Sequence, residues 1–262
     1  MTVPRITLSA LTPDSGSDLL VVGPSLGTAV APLWSACAAA LGERFTVVGV
    51  DHPGHGASPA SDEPVTVAEL ATAVAEAVRP LTAARGTRAR YAGVSLGGAV
   101  ALELALRHPD VVSSVAVICS AARIGEPSGW LERAELVRAA GTRVMVEGST
   151  HRWFAPGFVE REPTLVRALL TSLEQADQFS YARCCEALAA FDVREELGDV
   201  GVPVLAVVGA LDVVVPTSAA SQIVAAAPDA EAVVLPGVAH LAPAETPLDV
   251  ARILTDFFTR KG

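Results

Sequence analysis

A serine hydroxyl attacks a carbonyl only when a base in contact takes its proton and a carboxylate orients that base. In the stretch YAGVSLGGAV, Ser95 stands between Gly93 and Gly97, with Gly98 following. This is the G-x-S-x-G spacing in which small neighbours let a strand turn sharply into a helix and hold the hydroxyl out from the corner. Alone, the pentapeptide fits a plain turn or a phosphate-binding helix start as well, so its partners decide. After such an elbow the expected order is an acid, then a histidine. Of the five histidines, His52 and His55 lie in the loop DHPGHGAS, His108 closes the segment after the elbow and His151 sits in a helix-rich region. Only His240 follows the last strand-like run, in LPGVAHLAPAE. Asp212 ends the run PVLAVVGALD, whereas Asp229 precedes a strand and Asp249 lies early in the last helix. Taken singly, Asp212 reads as a turn residue and His240 as an ordinary loop histidine. Their order, each at a strand's carboxyl end, favours Ser95, Asp212 and His240 as nucleophile, acid and base. The developing oxyanion needs two backbone N–H donors. Leu96, directly after Ser95 at a helix start, supplies one. The loop VVGPSLGT supplies the other, assigned to Leu26 because Pro24 has no N–H, with Ser25 and Gly27 as alternatives.

These residues need a frame that brings strand ends together. The runs DLLVVG, FTVVGVD, ARYAGV, VSSVAVICS, PVLAVVGALD and EAVVLPG are short, apolar and valine-rich, as strands covered on both faces are. Between them lie helical segments such as TVAELATAVAEAVRP, where Thr66 and Glu69 have capping-box spacing and Pro80 marks the expected end. The alternation predicts an α/β domain with a mostly parallel central sheet and helices on both faces. From Arg123 onward it stops: GWLERAELVRAAG, PTLVRALLTSLEQADQ and YARCCEALAAFDVREEL read as helices, and strands resume at Val202. The expected organisation is a core over residues 1–122 and 197–262 and a helical cap over 123–196. The cap would cover the sheet's carboxyl edge, where open α/β folds bind ligands; a second helical layer without a role is the plainer alternative.

Composition narrows the function classes. The chain has 262 residues, 51% hydrophobic and 18% charged, which suits one large packed domain and argues against disorder. A formal net charge of −10 disfavours a nucleic-acid partner. The first residues show no signal-peptide pattern and no stretch reaches membrane-spanning length, so the expected location is cytoplasmic, without a membrane partner. Cys37, Cys119, Cys184 and Cys185 lack zinc-type pairing and read as small buried thiols, so no metal is expected. Nothing in the sequence sets an oligomeric state.

With PSLG, DHPGHG, GVSLGG, GALD and VAHLAPAE in place, the chain resembles the α/β-hydrolase superfamily. Its cap segments AARIG, WLERAELVRAAG, RWFAPGF and YARCCEALAAFDVREEL resemble those of the 3-oxoadipate enol-lactonases of aromatic catabolism (the beta-ketoadipate pathway). Three positions depart from that pattern: Pro24 stands where asparagine is expected, Pro53 where arginine is, and Ser180 where glycine is. The resemblance implies the α/β-hydrolase fold, with the cap inserted after the sixth strand. It also implies a cofactor-free serine hydrolase that opens an enol-lactone to 3-oxoadipate through an acyl-enzyme. Such a substrate carries a free carboxylate. Charges beyond about 8 Å are mostly screened at physiological salt, so a local arginine outweighs the global sign. Arg133, one helical turn after Trp130, and Arg152, beside Trp153, are the candidates; a solvated cap surface is their plainer reading. Rival functions are a hydrolase of another lactone or small ester, a cofactor-independent perhydrolase, and a non-catalytic binder of a small acid.

Overall fold

The computed structural model describes residues 3–15 and 18–261. Seven strands form one sheet: β1 (Leu8–Ala10), β2 (Asp18–Gly23), β3 (Phe45–Val50), β4 (Ala89–Val94), β5 (Val112–Ile118), β6 (Val204–Gly209) and β7 (Ala230–Leu235). Their order is β1-β3-β2-β4-β5-β6-β7, and only the β1–β3 pairing is antiparallel. Six of the seven strands fall on the six apolar runs. The seventh, β1, is three residues long and partly exposed, too short to show alternation. Every residue of β4 and of β6 is buried, which requires cover on both faces.

That cover comes from α1 (Val30–Leu41), α2 (Val67–Arg85), α3 (Leu96–Arg107), α9 (Ser218–Ala226) and α11 (Pro247–Arg260), with α1 packed on α11 and α2 on α3. The capping box at α2 forms in full: Thr66 Oγ1 accepts from the Glu69 N–H at 3.1 Å and the Glu69 carboxylate accepts from the Thr66 N–H at 2.9 Å. Pro80 does not end this helix, contrary to expectation. The helix runs on to Arg85 and closes on Gly86 in the left-handed conformation, φ 66°. Pro80 and Glu76 are exposed, so water can satisfy the carbonyl that the missing N–H leaves open, and the segment LTAAR after it favours helix.

Between β5 and β6 lie α4 (Pro127–Ala140), α5 (Val146–Trp153), α6 (Phe158–Arg161), α7 (Pro163–Gln175) and α8 (Gln178–Ala190), and no strand is found there among the described residues. This helical insertion follows the fifth described strand, not the sixth. A single antiparallel strand precedes β2, so the count at the insertion is one lower. A short helix α10 (Ala242–Glu245) links the β7 loop to α11.

The strand order fixes where a site can form. The chain builds β2 and β3 on one side, then crosses to β4 on the other side of β2. The crevice outside the carboxyl ends of β2 and β4 is therefore a topological switch point, the usual ligand position in such sheets. No helix among the described residues is long and apolar enough to cross a membrane.

Candidate active site

The corner between β4 and α3 is a single residue. Ser95 has φ 54° and ψ −112°, a conformation that costs a non-glycine residue free energy and persists only where its surroundings enforce it. The surroundings do so through the main chain. Its N–H donates to the Ile118 carbonyl at 2.9 Å, and its own carbonyl accepts from the Ala99 N–H at 2.9 Å and from Ser120 Oγ at 2.7 Å. The flanking glycines leave room for this turn. A Cβ on Gly93 would sit 2.1 Å from the Gly97 carbonyl oxygen, and one on Gly97 would sit 2.8 Å from that of Pro24. Ser95 itself is only 3% exposed.

Asp212 and His240 meet directly. His240 Nδ1 donates to Asp212 Oδ2 at 2.8 Å, with the two side chains 2% and 0% exposed. The other carboxylate oxygen accepts the Val214 and Val215 amides at 2.8 and 3.1 Å. A proton held on Nδ1 leaves Nε2 as the basic nitrogen. The histidine loop folds back over the end of β6: the Leu211 N–H donates to the Val238 carbonyl at 2.9 Å, and a Cβ on Gly209 would strike the Ala239 carbonyl oxygen at 2.3 Å. Cys119 and Ser120, at the end of β5, touch both halves. Cys119 Sγ donates to the Ala239 carbonyl at 3.5 Å, while Ser120 reaches Ser95.

Glu245 secures the same loop. Its carboxylate accepts the Ala239 N–H at 3.1 Å and the Ala155 N–H of the cap at 2.9 Å. Burial pushes its carboxyl up, opposed by the Ala155, Ala239 and Leu241 amides and by the nearby His240. The His240 N–H donates to the Trp153 carbonyl at 3.2 Å, so the cap is hydrogen-bonded to the loop that carries the imidazole.

On the β2 side, the Gly97 N–H donates to the Pro24 carbonyl at 3.1 Å, which ties the loop after β2 to the first turn of α3. The Leu26 and Leu96 amides have no acceptor among the described residues, and the same is true of Ser25 and Gly27. Leu96 stands at the positive end of α3.

The two candidate arginines of the cap lie within reach of each other's charge. The Arg133 guanidinium stacks 4.5 Å from the centre of the Trp130 ring, the contact that a spacing of three on α4 predicts. Trp130 is fixed by a hydrogen bond from Nε1 to the Ile124 carbonyl at 2.5 Å. Burial, and then the charge of Arg133, lower the Arg152 guanidinium below its ordinary value. Arg152 reaches Ser149 Oγ at 3.4 Å, and among the described residues neither arginine has a carboxylate at ion-pair distance. Tyr181 interacts with both: burial pushes its phenol up, and Arg133, through charge and a hydrogen bond, and Arg152 oppose that. Tyr181 also faces the loop after β2. A Cβ on Gly27 would lie 3.3 Å from its ring and 3.5 Å from that of Trp153. Tyr181 and Trp153 thus abut the loop that carries Leu26. Ser180, one of the three departures, anchors α8 to the core, its hydroxyl accepting the Ser61 N–H at 2.8 Å. A separate cavity of about 670 Å³ lies beside the Asp212 loop, lined by Ala121, Ile124, Val214 and Val215, and includes neither Ser95 nor His240.

Ser120, Tyr181 and Glu245 were not legible as site residues in the sequence. Glu245 carried the one available signal, its place five residues after His240 in HLAPAE. The four cysteines are buried and free, and burial raises the Cys37 and Cys185 thiols to about 12.

The family model for alpha/beta hydrolases matches residues 19–253. The 3-oxoadipate enol-lactonase 2 of Acinetobacter baylyi is 37% identical over 193 residues, 74% of this chain and 71% of that protein. A pimeloyl-(acyl-carrier protein) methyl ester esterase of Vibrio cholerae is 32% identical over 256 residues, 94% of this chain and 95% of the other. The solved enol-lactonase of Burkholderia xenovorans LB400 superposes with a TM-score of 0.90 at 31% identity, covering 97% of this chain and 96% of its own. The matched model spans β2 through most of α11, and the chain therefore belongs to the alpha/beta hydrolase family.

Proposed function

We propose that this hydrolase opens a carboxylate-bearing lactone, with 3-oxoadipate enol-lactone as the favoured substrate, through an acyl-enzyme on Ser95. His240 Nε2 takes the hydroxyl proton as Ser95 Oγ attacks the lactone carbonyl, while Asp212 holds the imidazole tautomer and stabilises its cation. The tetrahedral oxyanion rests on the Leu26 and Leu96 amides, a reading supported by their lack of an internal acceptor among the described residues. Collapse breaks the acyl–oxygen bond and expels an enol oxygen, a better leaving group than a simple alkoxide; this oxygen takes the proton from the His240 imidazolium, and the enol tautomerises to the ketone. Water then attacks the acyl-enzyme with His240 again as base, releasing the acid and restoring Ser95. In this reading residues 123–196 act as the cap that selects the substrate, and residues 1–122 and 197–262 carry the chemistry.

The observation that carries the substrate class is the pairing of Arg133 and Arg152 without a carboxylate partner, against Tyr181. Two like charges brought together at partial burial repel each other, and a bound carboxylate relieves that cost. Trp130 and Trp153 form the apolar walls beside it. The names of the Acinetobacter and Burkholderia relatives give the lactone. The Vibrio relative, by name a methyl ester esterase, supports a second reading, an ester substrate. The deciding experiment follows loss of the enol-lactone absorbance, with the lactone generated in situ, alongside hydrolysis of simple esters. A kcat/KM for the lactone at least a hundredfold above that for plain esters is expected; equal or higher values on esters would reject the lactonase assignment.

A further inference from the structure

We propose that His52 is a positioning residue for the oxyanion loop. It holds the Pro24 peptide, and with it the Ser25 and Leu26 amides, against the helix that starts after Ser95. The inference rests on the serine-hydrolase reading above and deepens it.

Pro24 follows directly on β2 and has no N–H, so hydrogen bonds can hold it only through its carbonyl. That carbonyl receives two donors from different parts of the fold: the Gly97 amide of α3 at 3.1 Å and His52 Nε2 at 3.0 Å. One hydrogen bond leaves a peptide free to pivot about it. A second, from another direction, fixes its plane and hence the direction of the amides that follow. The two donors also come from opposite sides of β2, since His52 follows β3 and Gly97 follows β4. Leu96 and Gly97 are consecutive, so one turn of helix presents one amide to the proposed oxyanion and the next to the loop that must supply the second donor.

The ring is suited to this task. A carbonyl only accepts, so Nε2 carries the hydrogen. His52 is 3% exposed, and burial, followed by the neighbouring His55, lowers it to about 3, which keeps the imidazole neutral at working pH. The His55 ring packs edge-on against it at 6.1 Å and is itself backed by Tyr181, stacked at 6.0 Å.

Oxyanion donors discriminate the transition state from the bound substrate by small differences in position. Loss of His52 as a donor should therefore lower kcat and leave KM nearly unchanged. His52→Leu removes the donor and His52→Gln restores an N–H of similar reach. The expected result is a kcat loss on the order of tenfold to a hundredfold for H52L, with KM within twofold. Binding of a trifluoromethyl ketone, which mimics the tetrahedral oxyanion, should weaken in parallel, and H52Q should recover most of both. His52→Asn is polar but too short to reach Pro24, and carries the same comparison if H52L does not fold. Wild-type turnover in the donorless variant overturns the proposal, as does an equal loss in H52Q with matching drops in melting temperature. Ser95→Ala, measured in parallel, separates the two claims. Activity retained there ends the serine-hydrolase reading and this one with it, whereas loss there beside normal H52L turnover ends this one alone.

Discussion

At Ser95 the main chain itself is tied down: its N–H and carbonyl are bonded to β5, to α3 and to Ser120, and the flanking glycines have no space for a methyl group. At Arg133 and Arg152 the backbone is ordinary helix, and what matters is held at the end of long side chains by a ring stack, a 3.4 Å contact to Ser149 and the Tyr181 phenol. On the proposed function, bond making in the core would be set by backbone conformation, which leaves no space for a side chain at Gly93 or Gly97. On the same proposal, substrate choice in the cap would be set by side chains that can be exchanged while the helices stand. The same sheet can therefore keep one chemistry under caps of different selectivity.

The largest test of this contrast is Ser95→Ala. Turnover should fall by on the order of 10⁶, by analogy with serine-protease knockouts, while the melting temperature stays within a few degrees of wild type. A retained rate would remove the nucleophile from the core's side of the comparison. Asp212→Asn keeps the shape of the acid but lets the imidazole adopt the wrong tautomer. A kcat loss of about 10⁴ is expected, and steady-state rates with a saturating ester would expose a smaller effect. In the cap, Arg133→Ala or Arg152→Ala should raise KM for a carboxylate-bearing substrate by roughly tenfold to a hundredfold, the worth of a charge-assisted contact. KM for a neutral ester should move less than twofold. Equal losses on both substrates would mean that the cap, too, acts on the chemistry.

Much of the core was readable beforehand because it follows local rules. The valine-rich runs and the Gly93–Gly97 frame are short-range signals, and the expected pairing of Asp212 with His240, each after a strand-like run, is met by their 2.8 Å contact. The residues that sequence did not reveal depend on long-range meetings. Ser120 matters because β5 lies beside β4, and Tyr181 because α8 folds over the loop at Gly27. Pro80 misled because a proline normally stops a helix, and only its exposed position in the fold explains why this one does not. The three-residue β1 has too little sequence to announce itself.

Two smaller measurements sharpen the contrast through stability. His52 stays neutral in the folded chain down to about pH 3 but takes up a proton near its ordinary value when unfolded. The unfolded state therefore binds more protons between about pH 6.5 and 3, and stability falls as pH falls through that window. From pH 7 to pH 5 this amounts to about 2 kcal/mol, to be read from urea midpoints of wild type and His52→Gln, the latter lacking this slope. The smallest effect is at Gly129, in the first turn of α4, where an added methyl meets nothing within 4 Å. Gly129→Ala should add about 0.5–1 kcal/mol, whereas Gly93→Ala should fail to yield folded protein.

The hydrogen bond from the His240 amide to the Trp153 carbonyl has a corollary. Any displacement of the Trp153 segment also strips the His240 peptide of its acceptor. The loop would then keep the Glu245 bond to the Ala239 amide, and the ring its contact to Asp212.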